Sequence, residues 1–102
     1  MTEFDIGKKI VEIMGSEDFR KLDPQGVEKK IATSALAAVR TFYTMLHLRK
    51  TQEAFDILDG LYKNNSYNQG TINTWLKKII GETKEYREYV TYKTGKILNR
   101  NS

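Results

Sequence analysis

Three tyrosines, Tyr86, Tyr89 and Tyr92, alternate with Lys84, Arg87, Lys93 and Lys96 near the end of the chain. Aromatic faces can stack single-stranded bases while neighbouring cations hold phosphates. The same spacing of three also suits a helix that packs its rim on a core, with phenol hydroxyls reaching water. Glu82, Glu85 and Glu88 lie in the same stretch and oppose a phosphate backbone. Packing is therefore the favoured reading. His47 is the one histidine, and there is no cysteine. A lone histidine near a helix end, without a nucleophile in a recognisable motif, does not build a nucleophilic site. No carboxylate cluster has metal-ligand spacing, and no glycine-rich loop cradles phosphate. These residue types argue against an enzyme and imply neither cofactor nor metal.

A second constellation lies upstream. Residues 67–75 read YNQGTINTW, and residues 23–31 read DPQGVEKKI, with a Gln-Gly pair in the same relative place. From Thr51 the chain reads TQEAFDILDG, and from Gln69 it reads QGTINTWLKK. The stretch resembles a DNA-binding helix-turn-helix, in which a TQE-type start opens the first helix and a second helix reads the major groove. The resemblance implies Gln69, Thr71, Asn73, Thr74 and Lys77 at the groove-facing start of that helix, with Lys78 on phosphate. Two departures stand against it. Gly60 and Ile72 are about twice as far apart as the motif has them. Asp56 also occupies the place where the motif packs a small apolar residue, and an unpaired buried charge is costly.

The elements that must position these residues follow from composition and period. A chain of 102 residues fits one domain with one modest core. Its 39% hydrophobic and 29% charged content is that of an average globular protein. One proline and seven glycines leave room for few turns, which predicts an all-α fold. Without cysteine, disulfides and thiolate metal sites are excluded. The net charge of +4 is spread evenly over both halves, so no basic half points to nucleic acid. Only the tail from Lys93 is purely basic. The longest apolar run, Ala35 to Val39, is far below the roughly 20 residues of a spanning helix, so no membrane association is expected. MTEFDIGKK has no apolar signal core, which predicts an intracellular protein.

Four helices are expected. Thr2 caps the first, with Asp5 three residues on, and Phe4, Ile10, Val11 and Met14 form its stripe up to Gly15. Ser16 to Leu22 adds a turn anchored by Phe19 and Leu22. Asp23 and Pro24 have the N-cap and first-position preferences of a second helix, running to about Arg49. Its wide face of Ile31, Ala32, Ala35, Leu36, Val39, Phe42 and Tyr43 predicts a central helix. Thr51 caps a third helix with Ala54, Phe55, Leu58, Leu61 and Tyr62 buried. Residues 64–70, NNSYNQG, form a loop. A fourth helix runs from Thr71, burying Trp75, Leu76, Ile79, Ile80, Tyr86, Tyr89, Val90 and Ile97, and bends at Gly81.

Shifting the chain by 44 positions aligns apolar residues with apolar residues, though identities stay at the level of chance. Both halves read short helix, polar loop, long helix. This predicts two similar helical hairpins, residues 1–48 and 49–98, with a groove between them. Ala38, Phe42, Leu46, Trp75, Ile79, Tyr86 and Tyr89 are its expected lining.

The stretch TWLKKIIGETKEYREYVTYKTGKIL, in a short cysteine-free chain rich in Lys, Ile and Tyr, resembles the small orphan proteins of filamentous viruses that infect hyperthermophilic archaea. The resemblance implies location in a host cytoplasm and assigns no activity or functional residue. The function expected from the sequence is a small non-enzymatic adaptor that binds a protein or peptide in the groove. DNA binding through residues 69–78 is the alternative, and self-association in a virion a third.

Overall fold

The computed structural model describes the backbone of residues 5–100 and the side chains of residues 5–96. The expected Thr2 cap, the Phe4 anchor and the Ile97 side chain lie outside those bounds. Asp5 itself caps α1 (Ile6–Met14), its carboxylate accepting from the Lys8 N–H at 3.1 Å. The helix stops at Gly15, as expected. Ser16 then caps the short α2 (Glu17–Arg20), accepting from the Phe19 N–H at 3.4 Å and donating to the Ile13 carbonyl at 2.6 Å.

Asp23 does not cap the long helix. Its carboxylate accepts from the Gln25 N–H at 3.0 Å, and its carbonyl accepts from the Gly26 N–H at 2.8 Å. Residues 23–26 thus close a turn with Pro24 at its second position, a place that proline's fixed φ favours. A β-carbon on Gly26 would stand 3.2 Å from the Asp23 carbonyl oxygen, so the turn needs a glycine or a small shift. The long helix, α3 (Val27–His47), starts after it. Ile31, Ala32, Ala35, Leu36, Val39 and Phe42 are buried along it, which makes it the central helix the sequence predicts.

α3 ends in a Schellman motif. The Lys50 N–H donates to the Met45 carbonyl at 2.9 Å, and the Arg49 N–H to the Leu46 carbonyl at 3.0 Å. α4 (Thr51–Asn64) follows at once. Thr51 is its first residue and not its cap, because Lys50 holds the cap position. Asn65 closes α4 by donating its amide to the Leu61 carbonyl at 2.9 Å. The expected loop contains a 3-10 turn at Ser66–Asn68, and α5 (Gln69–Ile80) begins two residues before Thr71.

The fourth expected helix is two. α5 stops at Ile80, and α6 (Lys84–Arg100) starts after Thr83. A β-carbon at Gly81 would collide with the Lys77 carbonyl oxygen, so the chain can close this way only with glycine there. Thr83 then caps α6. Its hydroxyl accepts from the Tyr86 N–H at 3.3 Å and donates to the Ile80 carbonyl at 2.8 Å, serving the ends of both helices. The fold is all-α with six helices instead of four, and no strand occurs among the described residues.

The core has two centres. Phe42 of α3 meets Phe55 of α4 at 6.3 Å between ring centroids and Tyr89 of α6 edge-on at 6.4 Å. Trp75 of α5 meets Phe19 edge-on at 6.1 Å, which seats α2. No polar or charged residue is buried among those described. Extents of 43 × 37 × 19 Å make the molecule about two helices thick. No described helix is long and apolar enough to cross a membrane.

Candidate functional site

The turn at Gly81 separates α6 from α5 and lays it along α4, where Tyr89 bonds Asp59 and Tyr92 packs on Phe55. A groove of about 610 Å³ opens where α5, α6 and the end of α4 meet. Tyr62 lines it from α4, Asn73 and Lys77 from α5, and Gly81 at the junction. Tyr86, Arg87, Tyr89, Val90, Thr91 and Lys93 line it from α6. Residues 86, 89, 90 and 93 recur at helical spacing, so one face of α6 supplies most of the wall.

Hydrogen-bonded phenols form its floor. The Tyr62 hydroxyl donates to the Asn73 carbonyl oxygen Oδ1, tying α4 to α5. It also interacts with the Tyr86 hydroxyl. The Tyr89 hydroxyl donates to Asp59 Oδ1 at 2.7 Å, and Lys96 stands 3.7 Å from the other carboxylate oxygen. Burial pushes Tyr62, Tyr86 and Tyr89 above the ordinary phenol value, so all three stay protonated near neutrality. The Lys93 ammonium lies 3.2 Å from the Tyr62 ring centroid. Burial pulls Lys93 below its usual value, and Asp59 opposes that pull.

The walls are cationic. Lys77, Arg87 and Lys93 line the groove, and no carboxylate does. Lys77 and Arg87 make no ion pair among the described residues. A shallower depression of about 320 Å³, lined by Lys84, Arg87, Glu88 and Thr91, adjoins it and shares Arg87 and Thr91.

No family model, curated protein or solved structure matches this chain.

Of the lining expected between the hairpins, Tyr86 and Tyr89 reach the groove. Phe42, Trp75 and Ile79 do not, being 0%, 2% and 1% exposed in the core. Ala38 and Leu46 are half-buried on α3, packed against that core. The groove is displaced from the α3–α5 contact because those two helices bury their apolar faces against each other. Tyr62, Gly81, Val90 and Thr91 escaped notice as site residues. The Gly81 punctuation was the signal that could have found them.

The aromatic-basic stripe is not a stacking platform. Tyr86 and Tyr89 are 7% and 1% exposed, too little for a base to lie on them. Tyr92 packs on Phe55 at 4.7 Å between centroids, and its hydroxyl accepts from Gln52 at 3.1 Å.

The helix-turn-helix residues are divided. Gln69 and Thr74 are exposed and Thr71 is half-buried. Thr74 donates its hydroxyl to the Gly70 carbonyl at 3.0 Å. Asn73 is held by Tyr62, and Lys77 lies on the groove. Lys78 is bound to Asp18 at 2.6 Å. Asp56 is exposed and accepts from Gln52 at 2.9 Å. The face of α4 that the motif packs against its second helix therefore looks outward. His47 is exposed at the end of α3, and no group of three metal-ligating residues converges among those described.

Proposed function

We propose that this protein is a non-enzymatic adaptor that holds an acidic segment of a protein partner in the groove between α5 and α6. The observation behind the reading is the groove wall: Lys77, Arg87 and Lys93 with no carboxylate among the lining residues. Phenol and amide groups beneath them offer polar contacts, and Val90, 41% exposed, offers an apolar one. Such a cleft, apolar with a few convergent polar groups, suits recognition more than proton transfer. Charge complementarity sets the partner's sign and speeds its encounter. The reading includes an intracellular location and treats residues 1–48 and 49–98 as related hairpins, the second interrupted at Gly81.

The test is fluorescence anisotropy of a labelled Asp- and Glu-rich peptide titrated with the protein. Micromolar binding should fall at least about 30-fold when Lys77 and Arg87 are both reversed to Glu, since each of the two charge-assisted contacts contributes about 1–3 kcal/mol. Unchanged binding by that variant, or equal binding of a neutral peptide of the same length, sinks the reading.

Duplex DNA recognition through α5 is the second reading. Its support is that Gln69, Thr74 and Lys77 are exposed on one helix of a chain with net charge +4. Affinity for a labelled duplex that survives near-physiological salt, and weakens on Gln69→Ala and Thr74→Ala, would favour it over the peptide groove.

A further inference from the structure

We infer that the groove selects a doubly charged anion, a phosphorylated side chain within the partner's segment, over a single carboxylate. The inference rests on the acidic-segment reading and narrows it.

The charges around the groove can be counted element by element. From α5 comes Lys77, and from α6 come Arg87 and Lys93. From α4 comes Asp59, just behind the wall, already accepting from Tyr89 at 2.7 Å and paired with Lys96 at 3.7 Å. On the outer side Lys84 and Glu88 stand 3.8 Å apart and offset each other. Asp59 therefore offsets at most one of the three lining cations, and Lys96 already draws on it. A carboxylate would leave at least one unit of excess positive charge, and a dianion removes one unit more.

The donor chemistry points the same way. Arg87 carries a planar fork that matches two phosphoryl oxygens, and the lysines act as point charges beside it. The Tyr62 proton is already committed to Asn73 Oδ1, so the phenol donor that the floor offers a third oxygen is Tyr86. A nucleic acid brings one charge per phosphodiester and seeks ring faces for its bases, and the buried tyrosines present none. The shared lining of Arg87 and Thr91 lets the flanking segment leave over α6 into the shallower depression.

The test uses three labelled peptides, identical except for a central phosphoserine, glutamate or serine, titrated against the full chain. At about pH 7.5 the phosphoserine peptide should bind about tenfold more tightly than the glutamate peptide. The advantage should largely vanish at about pH 5.5, below the second phosphate ionisation near 6. The groups facing the site are Lys77, Arg87 and Lys93 on the wall, Tyr62 and Tyr86 on the floor, and Asp59 behind it. Arg87→Lys should cost the phosphoserine peptide about fivefold while the glutamate peptide loses less, because only the fork is removed. Circular dichroism of the variant confirms its fold.

Equal affinity of phosphoserine and glutamate peptides overturns the inference and leaves the acidic-segment reading standing. Failure of both to bind overturns the two together. Inorganic phosphate or duplex DNA competing as well as the phosphopeptide overturns the assignment to a protein segment.

Discussion

The indole N–H of Trp75 donates to Glu28 Oε2 at 3.1 Å, joining the start of α3 to the middle of α5. Trp75 is the only tryptophan, so its emission reports this contact directly. Glu28→Ala should lower stability by about 1 kcal/mol, because the indole donor loses a charged acceptor at a partly buried site. Glu28→Gln should cost less, since its amide oxygen still accepts. Urea unfolding followed by Trp75 fluorescence checks both, and equal midpoints for the two variants would count against the contact.

Arg49 has a φ of 63°, the one non-glycine residue in the left-handed region among those described. It occupies the position after the α3 cap where glycine is normally found. Arg49→Gly removes the clash of Cβ with the backbone but adds unfolded-state entropy. A net gain of about 0.5–1 kcal/mol is expected, read as a higher denaturant midpoint with unchanged m-value.

Gly60 and Gly81 should respond in opposite directions to alanine. Nothing lies within 4 Å of a β-carbon built on Gly60, inside α4, so Gly60→Ala should stabilise by about 1 kcal/mol. At Gly81 that atom would collide with the Lys77 carbonyl oxygen. Gly81→Ala should destabilise by about 1–3 kcal/mol and shift the groove. Thermal melts read the signs, and amide shifts of Tyr86 and Lys77 in NMR spectra locate the second effect.

Alkali should unfold the protein through its tyrosines. Tyr43, Tyr62, Tyr86 and Tyr89 are all raised above the ordinary value of 10.0, burial being the largest cause for each. The folded chain keeps protons that the unfolded chain releases. Their contribution is fully present below pH 10.0 and is lost as the pH rises beyond it. Lys93 acts in the opposite sense. Its ammonium is disfavoured by burial, so that cost is relieved as the pH approaches its ordinary value of 10.5. Four phenols outweigh one lysine, so the net slope above pH 10.0 is downward. Tyrosinate absorbance should rise together with loss of helical circular dichroism. Ionisation of all six tyrosines while the helices remain intact would contradict the buried placement of Tyr62, Tyr86 and Tyr89 and the half-buried placement of Tyr43.

Local pattern alone determined the all-α class, the stop at Gly15, the central role of α3 and the buried stripe of α4. Each of these depends on residues within one or two turns of one another, where the 3.6-residue period and the cost of burying polar groups leave little choice. The Gly81 signal was legible only as a bend, because a glycine marks where a helix can break and not how far the next one turns. Thr83 looks like any surface threonine until it is seen capping α6 and bonding back to Ile80. Asp23 has the residue type of a helix cap, yet its own turn satisfied it first.

The candidate site depended more heavily on the tertiary structure. Tyr86 and Tyr89 stand out in the sequence as aromatic residues on one face, and Asn73 and Lys77 stand out through the helix-turn-helix resemblance. Period tells which face of a helix is apolar but not what it meets. Only packing decided that Tyr62 reaches Asn73 across α4 and α5, that Phe42, Trp75 and Ile79 fill the core, and that three cations come to border one groove. Those relations join residues far apart in the chain, through contacts whose free energy exists only once all the helices have closed.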